Sequence, residues 1–239
     1  MDRVEGIVCR VLDYKDSSKI LYIYTEFGQR SIIARGVKKL SSLNRHLSQV
    51  GNIISFENSN RELATLKEGE LVHDFEVIHF DLESFTYASH MLELTYSIID
   101  QHSDHKKMYH FIVRLMKLMN HGIDPEIIST IFELKMLHFL GYGLNFKGCN
   151  QCDNTDLIFS VSDGGLICNR HAMPNSAKFD KAIYEKIKAF YFIDIDKYYE
   201  IEISHSERIM IRHILDLLYD EYIGYKSKSR SILKQIKKY

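Results

Sequence analysis

The sequence predicts an α+β protein: a small β-barrel at the N-terminus, then helices interrupted by a compact metal-binding insertion. Three observations predict it. The first seventy residues read as short strands. From about residue 82 apolar residues recur at helical spacing. Three of the four cysteines crowd into residues 149–168.

The β portion comes first. VEGIVCRVL (4–12), KILYIYT (19–25) and QRSIIAR (29–35) are rich in β-branched and aromatic residues. EFGQ joins the second to the third, with Gly28 supplying the turn. A polar connection leads to NIISFE (52–57) and ELATLKE (62–68), read as a hairpin across Asn58-Ser59-Asn60. Three strands, a longer link and a hairpin close naturally as a five-stranded barrel of the oligonucleotide-binding (OB) type.

Helices follow. Tyr87, Met91, Leu94 and Ile98 mark one, and Met108, Phe111, Leu115 and Leu118 another. A third starts at Asp124-Pro125, an N-cap followed by proline, and stops at Gly141-Tyr142-Gly143. Its EIISTIFELKMLHFL is apolar around most of its circumference, which predicts deep burial. KAIYEKIKAFYF and SERIMIRHILDLLYDEYI form two more, the last capped near Ser206. The C-terminal GYKSKSRSILKQIKKY is basic and free of acids, with Lys226, Lys228, Arg230 and Lys234 as candidate additions to a cationic surface. The expected division is residues 1–80 for the barrel and 81–239 for the helical domain, with the insertion at 146–173.

The insertion reads C-x2-C, fifteen residues, C-x2-H. Cys149, Cys152, Cys168 and His171 supply four soft ligands, the number a structural zinc takes with no position left open. Gly148 and Gly164-Gly165 permit the tight knuckles. One structural zinc per chain is therefore expected. Enzymatic readings lack their motifs. The H-x-E at His205 follows the cysteines, where a zinc deaminase needs it before a P-C-x-x-C. H-E-x-x-H and phosphate-loop signatures are absent. His102 and His105 beside Asp104 read as a polar loop, and Cys9 as core. No catalytic residue is assigned.

The net charge is −1, so charge distribution decides about polyanions. Between Phe27 and Phe56 there is no Asp or Glu, while Arg30, Arg35, Lys38, Lys39 and Arg45 fall within that stretch. With Lys15 and Lys19 from the first loop they form the expected nucleic-acid-binding set. Tyr14, Tyr22, Tyr24 and Phe27 are nearby rings on which bases could stack. No apolar run reaches membrane-spanning length, and MDRVEGIVCR carries no signal-peptide pattern, so a cytoplasmic location is expected.

These pieces in this order resemble the bacterial recombination mediator family RecO. The resemblance is carried by EGIVCRVLDYKDSSKILYIYTEFGQRSIIARGVKK, with its D-Y-K-D-S-S-K-I loop and A-R-G-x-K-K exit, by RELATLKEGELV, and by GYGLNFKGCNQC with the second ligand pair. It covers almost the whole chain, and from 175 onward only in helical character. The family's fullest metal pattern ends in C-x2-C, where this chain has His171. The resemblance implies a non-enzymatic, nucleoid-associated DNA-repair protein that binds single- and double-stranded DNA and anneals complementary strands. With RecR it would help RecA load onto DNA covered by single-strand-binding protein, whose acidic C-terminal tail it would also bind. Arg114, Lys117 and Lys135, beside Phe111, Leu115 and Phe139, are the expected rim of a groove for that peptide. An RNA- or ribosome-associated OB-fold protein with a zinc knuckle is the alternative, and a pure interaction scaffold a third reading.

Overall fold

The protein is described from a computed structural model over residues 3–42, 44–57, 63–99, 104–225 and 228–236. Asn58-Ser59-Asn60, His102 and Lys226 lie outside the described residues. The chain divides into two compact units, Met1–Ile128 with Ser227–Tyr239, and Ser129–Lys226.

The first unit begins with strands β1 (Arg3–Tyr14), β2 (Ser18–Thr25) and β3 (Gly28–Ala34), an antiparallel meander. β4 (Ile53–Glu57) returns to pair with the start of β1. The expected fifth strand is two strands. β5 (Leu63–Thr65) runs parallel to β3, and β6 (Gly69–His73) runs antiparallel to β4. The hairpin partner of β4 is therefore β6, not the ELATLKE segment. Gly69 explains the break: a Cβ there would meet Leu47 Cδ1 at 2.8 Å, so the chain is pinched where Leu47 plugs the barrel.

The six strands lie in the order β5-β3-β2-β1-β4-β6. The two edge strands are joined by residues 66–68 alone, a link that reaches at most about 14 Å. The sheet must therefore curl until its edges nearly meet, which gives the OB-type barrel. Inside it Val8, Leu21, Ile23, Ile32, Ile54, Phe56 and Leu47 form one apolar cluster. Each such side chain contributes about 1.5–3 kcal/mol on burial.

Helices α1 (Glu76–Phe80), α2 (Leu82–Ile98) and α3 (His105–Asn120) complete the unit. Asp81 and Asp104 cap α2 and α3, accepting from the N–H of Ser84 and Lys107. The expected polar loop at Asp104–His105 is instead a tie to the barrel, since His105 Nδ1 meets the Tyr24 hydroxyl at 3.0 Å. Tyr24 is thereby wholly buried and offers no stacking face. The basic C-terminus forms α7 (Lys228–Ile236), packed on α2. Glu93 of α2 caps it, accepting from the N–H of Lys228 and Ser229.

Helix α4 (Pro125–Phe139) crosses the division between units. Asp124 caps it, as its position before Pro125 predicts, and Gly141 ends it at φ 87°. Ile128, Ile131, Phe132, Leu134, Met136 and Leu137 are all fully buried, as an all-round apolar helix demands.

The second unit continues with β7 (Leu157–Ser160), β8 (Gly165–Cys168), β9 (Lys178–Phe179), α5 (Lys181–Phe192) and α6 (His205–Tyr222). The cap of α6 is Ser204, two residues before the expected Ser206. Its hydroxyl accepts from Glu207 N–H while the Glu207 carboxylate accepts from Ser204 N–H, a reciprocal pair set by the S-x-x-E spacing. Within this unit the buried Glu133 receives both Nη groups of Arg212 at 2.7 and 2.5 Å and the Ser129 hydroxyl at 3.1 Å. Among the described residues no helix is long and apolar enough to cross a membrane.

Candidate functional site: a four-ligand knot and a basic barrel rim

The ligand cluster lies in the second unit. β7 and β8 form the small ribbon predicted from LIFSV, and Cys168 ends β8. Cys149 and Cys152 come from the preceding knuckle and His171 from the turn after Cys168. The three sulfurs and His171 Nδ1 all lie within 4.8 Å of one another. Sγ of Cys168 is 3.7 Å from both Cys149 and Cys152, and His171 Nδ1 is 3.5 and 3.4 Å from Cys149 and Cys168. A tetrahedral ion with bonds of about 2.3 Å to sulfur and 2.0–2.1 Å to nitrogen spaces its ligands about 3.8 Å S to S and 3.6 Å S to N. The donor set therefore fits a metal ion in both chemistry and size. With four protein ligands no coordination position remains for substrate.

Backbone amides prepare the sulfurs. N–H groups of Cys168 and then Gln151 donate to Cys149 and bring its thiol down to about 6. The N–H of Asn154 lowers Cys152, but desolvation and the Cys168 and Cys149 sulfurs leave it raised on balance.

The organiser of the knuckle is Asn145, which sequence reasoning did not single out. Its Nδ2 donates to Gly148 O and Leu166 O at 2.7 and 3.0 Å, and its Oδ1 accepts from Lys147 N–H. Its backbone bonds to Gly164 O and Leu166 N–H on the other side. Gly165 meets it so closely that a Cβ would lie 2.2 Å from Asn145 O. The glycine pair is the visible sign of this approach. An Asn three residues before a Gly-Cys is the signal that points to it.

The cationic set lies in the first unit, and the structure gathers five of its seven members. The β1–β2 turn carries Lys15, and Lys19 opens β2, opposite both Asp13 and Ala34. Arg35, Lys38 and Lys39 follow β3 directly, in a turn that Gly36 makes at φ 73°. Lys38 N–H donates to Ser17 O at 3.0 Å, so the two loops are stitched into one rim. Within the rim Lys38 Nζ contacts Asp13 Oδ2 at 2.9 Å and, with Lys19 further off, holds that carboxyl below its usual range. The partner comes from β1, outside the acid-free stretch. A solvent-exposed pair of this kind is weak and exchangeable, and the rim still sets five cations against Asp13 and Asp16.

Arg30 stands at the other end of β3, about 16 Å away along the strand, donating to the Gln29 and Phe27 carbonyls. Arg45 precedes the 3₁₀ turn that carries Leu47. Of the rings, Phe27 is 57% exposed at the β2–β3 turn, while Tyr14 lies under Lys15 Nζ. On α3, Arg114 is exposed but Phe111 and Leu115 are buried. Lys135 belongs to the second unit, where burial lowers its pKa and its ammonium donates to Tyr191 O at 3.1 Å.

The fold and the cluster define the class: an α+β protein with an OB-type barrel, a helical domain and an inserted four-ligand metal knot. Comparison with known proteins gives the family. Residues 1–75 match the family model described as Recombination protein O N terminal, and residues 79–231 the one described as Recombination protein O C terminal. The chain is 34% identical to DNA repair protein RecO of Bacillus cytotoxicus and of Bacillus mycoides, and 33% to that of Bacillus cereus (strain AH187). Each match spans 99% of this chain and 98% of the relative. The chain belongs to the RecO family.

Proposed function

We propose that this protein is a non-enzymatic DNA-binding factor of recombinational repair. In this reading it holds single strands, anneals complementary ones and, with RecR, helps RecA load onto DNA covered by single-strand-binding protein. It works in the cytoplasm at the nucleoid. Residues 1–80 supply the grip on DNA. Residues 81–239 dock partners, with Arg114 and Lys117 of α3 as contacts for an acidic peptide tail. Zinc is the ion of the Cys149, Cys152, Cys168 and His171 knot, where it braces the fold.

The observation that carries this reading is the stitched rim, Lys15, Lys19, Arg35, Lys38 and Lys39, in a chain whose relatives are named DNA repair proteins. Phosphates bind where several cations are held together with few acids among them. The test is a titration with single-stranded DNA across salt concentrations. Affinity should fall by roughly 0.7 log units per log of salt for each phosphate contacted. Replacing Arg35, Lys38 and Lys39 together with alanine should flatten that slope by about 2 log units per log of salt while leaving the thermal melt unchanged. Unchanged affinity in the triple variant would remove the rim as the binding site. A matched RNA strand that outcompetes DNA would favour an RNA-binding OB protein instead.

A further inference from the structure

The four ligands of the knot are unequally sheltered. Cys168 ends β8, where it pairs with Leu157, and is fully buried. Cys149 is half-buried and Cys152 is exposed, both on a knuckle that belongs to no helix or strand. Exposure decides which sulfur a small oxidant meets first, and here that is Cys152. Two further sulfurs stand beside it, Cys168 at 3.7 Å and Cys149 within 4.8 Å.

The ligand set also holds an odd number of sulfurs. Three of its members can enter a disulfide, and the fourth, His171, cannot. The remaining cysteine of the chain, Cys9, is buried in β1 of the first unit, with its Sγ 3.6 Å from Ile7 O. A four-cysteine knot could pair off completely. This one can join two sulfurs and is left with one thiol and one imidazole.

We infer that the knot is a reversible, peroxide-sensitive switch: Cys152 is oxidised first, Cys149 closes a disulfide onto it, and the pair can no longer hold an ion. This rests on the reading above of zinc as the ion of the knot. Cys152 Sγ attacks hydrogen peroxide, the O–O bond breaks, and hydroxide leaves as the sulfur becomes a sulfenic acid. Cys149 Sγ then attacks that sulfur, and a second hydroxide departs as the S–S bond forms. The two thiolates together lose two electrons, the peroxide gains them, and two protons from solvent turn both hydroxides into water. Cys149 is the resolving sulfur because it shares the unpaired knuckle with Cys152 and can close to the S–S bond length of about 2.05 Å. Cys168 is held in β8. After the bond forms, Cys168 and His171 alone remain as donors, too few for a structural zinc. The ribbon loses its brace. Oxidation stops there, with no further sulfur in the knot for Cys168 to join. A thiol reductant cleaves the bond and restores all four donors.

The test is a titration of the zinc-loaded full chain with hydrogen peroxide in the presence of a zinc-binding dye. The ion should be released at about one peroxide per chain. The denatured product should then show two free thiols out of four, with peptide mapping placing the bond between Cys149 and Cys152. Amide exchange should quicken over 145–171, and dithiothreitol with added zinc should reverse every change. His171→Cys supplies the missing sulfur. It should still hold zinc, consume about two peroxides and finish with Cys9 as its one free thiol. If peroxide at these ratios leaves the zinc and all four thiols of the parent in place, the switch is overturned. Loss of the ion without a disulfide, or without recovery in dithiothreitol, overturns it too. If the purified chain holds no zinc even when loaded with it, the zinc reading falls first and takes the switch with it.

Discussion

Lys15 sits in the left-handed region at φ 52°, the one non-glycine among the described residues to do so. That conformation costs a residue with a Cβ roughly 1 kcal/mol or more. Glycine would relieve that strain and remove only the side chain from the rim. Lys15→Gly should leave the melting temperature level or slightly raised, while the salt slope for single strands drops by about 0.7. A lower melting temperature with unchanged binding would make Lys15 a structural residue. Asp81 gives a second prediction at this scale. The Ser84 hydroxyl and backbone N–H stabilise its carboxylate and lower its pKa. A depressed carboxyl stabilises the fold above its unfolded value, about 3.9, and that gain is lost as the pH falls through the lower folded value. Asp81→Asn should keep the cap at neutral pH and remove part of the acid sensitivity. Asp81→Ala should cost about 1 kcal/mol. Urea titrations at pH 7 and pH 3 separate the two.

At the scale of elements, the metal knuckle stands on a backbone approach as much as on its ligands. Gly165 at φ 145° lies against the Asn145 main chain, where any Cβ collides with backbone that cannot swing aside. Gly165→Ala should therefore weaken metal retention even with all four ligands present, read as faster loss of the ion to a chelator; retention equal to the parent would mean β8 can shift at no cost. The ligands themselves were legible because C-x2-C and C-x2-H are chemical spacings. Asn145 was not, because its role depends on a contact twenty residues away. The barrel shows the same contrast. β1 to β4 are readable from β-branched runs, but the split of the fifth strand is set by Leu47 pressing on Gly69, a packing effect without local period. Ser204 was overlooked as the α6 cap because Ser206 also precedes an apolar run. The reciprocal bond to Glu207 decides between them. The basic end was read as a tail, and only Glu93, 135 residues away from Lys228, makes it a helix start. Tyr24 resembled its neighbours in sequence, and the helix carrying His105 removed it from the surface.

For the whole molecule, the four-ligand cluster and the basic rim fall in different compact units, the cluster within Ser129–Lys226 and the rim within Met1–Ile128. The barrel has its own apolar core, Val8, Leu21, Ile32 and Phe56 among its members, so its integrity does not require an ion. In the other unit β7 and β8 are short, and Cys168 is fully buried among the residues the cluster joins. Four separated ligands held by one ion stabilise such a ribbon strongly, and releasing the ion returns that free energy as local unfolding. Metal analysis should find about one zinc per chain. Cys149→Ser or a strong chelator should remove it, lower the melting transition and speed amide exchange across 145–171. Exchange in β1 to β4 should stay as slow as before, and single-strand affinity should hold within a factor of about two. If removing the ion abolished strand binding at temperatures where the barrel amides remain protected, the knot would be part of the DNA site, and the separation of roles would have to be given up.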